Sequence, residues 1–423
     1  MTNNQNKNRQ NIDYDKDFDY GDPPAPSRKK KPSKAARAHG RRRKTVVAKN
    51  MRGPWQRFAR TLFLILDILV GICMFLSGYA GMFSPLQYSP LWGVLLLCFP
   101  FAFWAAVILF VVQLFWHRRG ILVLALAFVA SWGPVTTYFP LNVHIGARKP
   151  AEGNSTFRLL TYNTANLLDQ RPVEDRGDTT CNAMIEYIIQ SKADVVCLQE
   201  AEKIGVFKKG NITREQFGTL NAIYPHIIIS GKAQVILSKF PVESIHLLLV
   251  KNDFSNADLG AYRLTMPNGQ KVALFNVHLQ SIGLNASDKS LYHDLTELKT
   301  DDLRGAKSQL ISKLANANER RARQAQQLLR FIRHYGGPDV IVCGDFNDVS
   351  GCFAIRTLED AKFKDVYPQI GFGPMITFNA NRFYFCIDHV LYRGDLKPLS
   401  IKKGSTKASD HYPLTVDFEL TGD

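Results

Sequence analysis

Three long apolar stretches in the first third of the chain, roughly residues 61–82, 91–116 and 120–140, constrain the fold more than any other feature. As a helix, each is long enough to cross a hydrocarbon core of about 30 Å. Asp67 is the only charged residue within them. The first stretch is too long for a cleaved signal peptide and lacks a small-residue cleavage site before the next apolar run, so a retained anchor is expected. Asp67 reads as one side of a helix-to-helix hydrogen bond rather than as an intramembrane functional group.

Charge sets the expected orientation. Fourteen Lys and Arg and no acid lie between Arg28 and Arg60, the 83–90 loop carries no cation, and His117, Arg118 and Arg119 fill the second loop. The positive-inside bias then places the N-terminus in the cytoplasm and everything after about residue 141 outside it, across a plasma or inner membrane. Arg148 and Lys149 are a minor counter-signal, and the inverted arrangement is the alternative. Residues 1–27 have too few aliphatic side chains to offset chain entropy and read as disordered. The cations of residues 28–60 suit contact with anionic lipid better than a DNA-binding arm. The expected partition is a basic cytoplasmic tail (1–57), a three-helix transmembrane anchor (58–140), a linker (141–155) and one folded domain (156–423).

The formal charge of +16 belongs almost entirely to the part before that domain: residues 151–423 hold 32 basic against 31 acidic side chains. A broad nucleic-acid-binding surface is therefore not indicated. Cys197, Cys343 and Cys386 sit in apolar runs and read as small buried hydrophobes rather than disulfide partners. No CxxC or Cys/His cluster suggests zinc.

Past the linker, the pattern becomes short β-rich runs separated by turns and helical stretches. Strands are expected near Phe157–Asn163, Asp194–Glu200, Ala233–Ser238, Lys271–His278, Asp339–Asp345, Phe383–Tyr392 and Tyr412–Leu420. Helices are expected near 178–192 and across 302–334, where Leu303, Leu310, Leu314, Leu328 and Ile332 alternate with Arg and Gln. The default reading of Arg320, Arg321, Arg323, Gln324 and Gln327 is a solvated helix face. Together these signals give an α/β fold with two packed sheets.

Polar residues recur at or just past the ends of the apolar strands, where a rigid sheet can present them together. They are Asn163 in LLTYNTANL, Glu200 in DVVCLQE, His278 in LFNVHLQS, Asp345 and Asn347 in VIVCGDFND, Asp388 in CIDHVLY, and Asp410 with His411 in SDHYPL. Each alone is weak, because a carboxylate ending a strand is more often a turn or cap residue.

In this order over residues 156–420 the set resembles the endonuclease/exonuclease/phosphatase superfamily, whose members include deoxyribonuclease I, abasic-site endonucleases, neutral sphingomyelinases and inositol-polyphosphate phosphatases. The resemblance implies a four-layer αββα sandwich, here preceded by three transmembrane helices, with the site at one end of the two sheets. It implies Glu200 as principal ligand of Mg²⁺ or Mn²⁺, with Asn163 beside it and Asp410 in support. Asp388 and His411 resemble the family's carboxylate–histidine pair, with His411 as general base. Asp345 and Asn347 would orient water and a phosphate oxygen, although some family mechanisms give the proton to this Asp. His278 matches the second histidine of the deoxyribonuclease and sphingomyelinase branches, binding phosphate or protonating the leaving oxygen. Abasic-site endonucleases have a tyrosine there and an Asp where Ala165 stands, so the likeness points away from them. His389 should face away from Asp388 and is read as structural.

Three functions remain. The first is a membrane-anchored phosphoesterase acting on a lipid headgroup or phosphorylated metabolite by metal-assisted attack of water. The second is an extracytoplasmic nuclease on DNA or RNA, and the third an inactive binding module. Fold and catalytic groups do not choose among substrates. Oligomeric state and the role of residues 281–300 stay open.

Overall fold

The computed structural model describes residues 53–116, 118–143, 148–171, 181–207, 212–231, 233–247, 259–283, 303–380 and 383–422. The basic tail up to residue 52, His117 and the polar segment 284–302 lie outside the described residues.

Two helices are long and apolar enough to cross a membrane. The first, α1 (Pro54–Tyr79), runs into a 3₁₀ turn at Ala80–Met82. The second combines α2 (Leu91–Leu96) and α3 (Phe99–Trp116). They part at Leu97 because Pro100 has no N–H to return to the Leu96 carbonyl. The third apolar stretch departs from the single straight crossing expected: α4 (Arg118–Ala130) and α5 (Trp132–Tyr138) meet at 70°. Pro134 lies in the first turn of α5, where its missing N–H costs nothing, so α5 starts a new helix rather than continuing α4. Inside this bundle the Gln113 side-chain amide donates to Asp67 at 2.6 Å, and both are buried.

The rest of the chain builds two mixed six-stranded sheets. The first is ordered β13 (Leu396–Lys403), β14 (Leu414–Leu420), β1 (Thr156–Asn163), β2 (Val195–Gln199), β4 (Gln234–Ser238), β3 (His226–Ser230). The second is ordered β5 (Val242–Ser244), β6 (Leu259–Thr265), β7 (Lys271–His278), β8 (Val340–Asp345), β12 (Asp388–Arg393), β9 (Lys364–Asp365). A small hairpin, β10 (Phe378–Ala380) with β11 (Phe383–Phe385), stands apart. The apolar run expected as one strand over Phe383–Tyr392 is thus two strands in different sheets. The Thr377 hydroxyl accepts the N–H groups of both Ile387 and Asp388, removing them from any ladder.

Strand alternation accounts for the layering. Leu159, Cys197, Leu274, Ile341, Val390 and Val416 belong to a core shared by the two sheets. The opposite faces of the same strands bury Leu160, Val196 and Leu198 against α6 (Ala183–Ser191) and α7 (Arg214–Ile223). On the second sheet, Phe275, Val277, Val342 and Leu391 are buried against α8 (Leu303–Phe331) and α9 (Phe353–Asp360). Cys197 and Cys343 are buried and free, as expected; Cys386 is only partly buried and lies between strands.

Residues Arg60–Asp423 form one compact unit. Ala80 and Leu96, from the ends of the two membrane-length helices, share a core cluster with Leu328, Ile355 and Leu391. Asn318 on α8 donates to the Pro90 carbonyl at 3.2 Å. Gly81 lies so close to the Gly351 carbonyl that an added Cβ would sit 1.9 Å from its oxygen. The segment after the last apolar helix is also tied down: Asn142 donates to the carbonyls of Pro368 and Gly371, and Ala151 and Asn154 donate to Glu419. The helix face expected to be solvated is divided: Arg321, Gln324 and Gln327 are buried, whereas Arg320 and Arg323 face solvent.

Candidate active site

In each sheet one parallel pair, β1 with β2 and β7 with β8, ends its strands in the same direction. The registers align those ends: Asn163 opposite Gln199, His278 opposite Asp345, and Asp345 opposite Asp388 across the antiparallel β8–β12 pair. Close approach of β7 and β8 needs Gly344, whose φ is 136° and where a Cβ would come within 2.0 Å of the Val277 carbonyl oxygen. Beneath the site the sheets are stitched together by buried amides, with Gln199 donating to Asn276 at 2.6 Å and Asn276 to the Leu198 carbonyl at 2.9 Å.

One atom lies at the centre. Asp345 Oδ2 accepts from Asn163 Nδ2 at 3.0 Å and Asn347 Nδ2 at 3.2 Å, and is 3.6 Å from Nε2 of both His278 and His411. Glu200 joins through Asn163 Nδ2 at 3.2 Å and His278 Nε2 at 3.6 Å. On the far side His411 Nδ1 is 2.9 Å from Asp388 Oδ2. Seven of the eight expected residues are thereby brought together directly. Asp410 is bonded to Ser409 Oγ instead, but lies near enough to act electrostatically on His411.

Glu200 and Asn347 have left-handed backbones, with φ of 48° and 51°. Such a turn costs an L-residue about 1–2 kcal/mol and is held by its surroundings. The Glu200 carbonyl accepts from Thr164 Oγ1 and the Asn166 N–H, and the Asn347 N–H donates to Asp345 Oδ1.

The electrostatics are lopsided. Among the described residues no Lys or Arg pairs with Glu200, Asp345, Asp388 or Asp410; histidines are the only cationic partners. Burial pulls the His411 pKa down, but Asp388, Asp345 and Asp410 outweigh it and hold it at about 10. Burial also raises Asp388, against the opposing pull of His411.

An excess of carboxylate oxygen without a fixed cation suits a hard divalent ion. Asp345, Asp388 and His411 offer donor atoms within 4.8 Å of one another. Asp388 Oδ2 and His411 Nδ1 satisfy each other, whereas Asp345 Oδ2 is the point that Asn163, Asn347 and both histidines share, so an ion held there would take the place of some of these contacts. Glu200, with a third of its side chain exposed, supplies the carboxylate beside it.

Thr377, Gln199, Asn276 and the pair Arg321–Asp348 were not singled out by the sequence. His389 faces away from the cluster as expected, buried between Asp365 Oδ2 and the Asp348 carbonyl, both at 3.1 Å. A 780 Å³ cavity around Thr156, Arg158 and Asp417 lies at the opposite end of β1 from Asn163 and belongs to none of this.

Residues 160–411 match the Endonuclease/Exonuclease/phosphatase family. The chain belongs to that family. Members of the Endonuclease/Exonuclease/phosphatase family are phosphoester hydrolases, typically metal-dependent. Residues 60–138 match a separate domain of unknown function, DUF8431. No curated protein matches the chain. Similar solved structures include humanized D. rerio TDP2, 17% identical, covering 62% of this chain and 98% of that one with a TM-score of 0.42. An endonuclease/exonuclease/phosphatase from Bacteroides vulgatus is 17% identical over 63% of this chain and 99% of its own, with a TM-score of 0.40. Another, from Beutenbergia cavernae, is 17% identical over 63% of this chain and 72% of its own, with a TM-score of 0.43.

Proposed function

We propose that this chain is a membrane-anchored phosphoesterase using Mg²⁺ or Mn²⁺, its catalytic domain outside the cytoplasm, acting on a lipid headgroup or other phosphorylated metabolite. The convergence of Asn163, Asn347, His278 and His411 on Asp345 Oδ2 carries this reading. The two membrane-length helices and the cationic segment before them support the anchored topology, with the bent pair α4–α5 as the third crossing.

Glu200 and Asp345 would hold the ion, with Asn163 beside them and Asp410 adding negative charge. A bound divalent ion supplies Lewis acidity toward the phosphate oxygens and charge neutralisation. The N–H groups of Asn163 and Asn347, which here serve Asp345, Glu200 and the Leu279 carbonyl, and that of His278 would turn to the phosphate. Asp388 fixes the His411 tautomer so that Nε2 faces Asp345 and the attacking water. Asp388, Asp345 and Asp410 hold His411 protonated; a cation held by Glu200 and Asp345 would offset them, and His411 Nε2 would then accept the proton of the attacking water. His278, on the other side of Asp345, is placed to protonate the leaving oxygen.

The test uses the full chain, because Ala80 and Leu96 of the anchor complete the core of the second sheet. In detergent with Mg²⁺ or Mn²⁺ it should hydrolyse bis(p-nitrophenyl) phosphate or the monoester, and His411→Ala should lower kcat by about 10²–10⁴. A panel of phospholipid, plasmid and RNA separates the substrate classes; cleavage of nucleic acid alone would replace the lipid reading. Inactivity on every ester would leave a binding module.

A further inference from the structure

The loop joining the two membrane-length helices lies on α8. The exposed face of that helix is cationic. From Ser308 to Gly336 the sequence has six Lys and Arg and one acid, Glu319. Arg321 turns inward, leaving Lys313, Arg320, Arg323, Arg330 and Arg333 at spacings of 7, 3, 7 and 3 residues. At about 3.6 residues per turn Arg320, Arg323 and Arg330 fall within about 80° of one another, while Lys313 and Arg333 lie toward the two sides, over about 30 Å of helix and the π-helical turn Ile332–Gly336 that extends it. Arg323 is paired with Glu319. Such an excess is local, since the domain as a whole is nearly neutral.

Two cavities lie along this face. A 400 Å³ groove is lined by Pro85 and Leu86 of the loop and by Glu319, Arg323, Gln326 and Arg330. A 670 Å³ cavity shares Glu319 and Arg323 with it and continues past Lys313 and Arg320 to Gln280, two residues beyond His278. One end therefore sets arginines against the loop between the two membrane-length helices, where Pro85 is buried and Leu86 half-buried, and the other opens beside β7. The loop between two membrane crossings must also lie at the bilayer surface, which brings the arginines to headgroup depth.

We propose that this track on α8 binds the phosphate headgroup of an anionic lipid from the bilayer that holds the chain. The proposal rests on the membrane-anchored reading above. It gives α8 two faces with separate tasks: the inner one holds the catalytic loop through Arg321, and the outer one holds lipid.

The experiment measures lipid retention by the full chain in detergent, by native mass spectrometry with phosphatidylglycerol, phosphatidylcholine and inorganic phosphate as probes. Wild type should retain phosphatidylglycerol over phosphatidylcholine. Arg320→Ala with Arg330→Ala should reduce that retention about tenfold, and the corresponding Arg→Lys pair should restore it. Hydrolysis of bis(p-nitrophenyl) phosphate should be unchanged in all three. Unchanged phosphatidylglycerol retention in the alanine pair overturns the proposal, as does inorganic phosphate binding as tightly as the lipid. Extraction of the chain from membranes by carbonate would overturn the anchored reading itself, a result distinct from an anchored, active variant that still holds lipid.

Discussion

Replacing Arg321 by methionine should be among the most damaging single changes outside the candidate site. Its side chain is 4% exposed and pairs with Asp348, itself 8% exposed, through Nε at 3.0 Å. It also donates to the Gln280 carbonyl at 3.0 Å and to Asn318, the residue that holds the Pro90 carbonyl of the loop between the two membrane-length helices. Methionine keeps most of the apolar stem but leaves Asp348 buried with no opposite charge. Breaking such a pair from one side costs about 3–5 kcal/mol. That is a large share of the roughly 5–15 kcal/mol that keeps a domain folded. The loss should reach the active site, because Asp348 follows Asn347 directly and its carbonyl faces His389. The assay is denaturant unfolding of the full chain in detergent, with kcat measured alongside. Adding Asp348→Asn removes the stranded charge while keeping an oxygen for the Val349 N–H, so the double variant should recover part of the loss. A loss below about 1 kcal/mol for Arg321→Met, or a double variant as unstable as the sum of the two singles, would refute the reasoning.

Gly81→Ala should destabilise the chain by about 1–3 kcal/mol and lower activity together, because the added methyl meets the Gly351 carbonyl. Wild-type stability and turnover would show that the turn at Gly81 does not brace the loop at Gly351. In ion-free protein His411 should titrate near pH 10, above its ordinary value of 6.5. A pKa raised on folding contributes stability that is fully present below the unfolded value and is lost as pH rises through about 10. Histidine NMR should show that titration, and Mg²⁺ or Asp388→Asn should each lower it; an unchanged midpoint on adding Mg²⁺ would place the ion elsewhere.

The residues of the candidate site could be picked out because each borders or just follows an apolar run. Edge strands could not. In β13, Lys397, Lys402 and Lys403 face solvent and Pro398 marks a bulge, so neither alternation nor β-propensity stands out. The face of α8 was misread for a related reason. Arg321 and Gln324 look solvated until Asp348 and Gln280, each more than 25 positions away, supply their partners. Pro134 is the local mark of the break between α4 and α5, within an apolar stretch of 120–140 long enough to read as one crossing. Thr377 carries no local mark at all: its role comes from two N–H groups ten and eleven residues later.

Whether a divalent ion binds between Glu200 and Asp345 decides the rest, and Mn²⁺ titration of the full chain followed by electron paramagnetic resonance measures it directly. Wild type should take up Mn²⁺ with a change in its spectrum, Mg²⁺ should displace it, and Glu200→Gln should lose most of the affinity while remaining folded. Uptake unaffected by Glu200→Gln, or none in the wild type, would contradict the assignment of this cluster as a metal-dependent hydrolytic site.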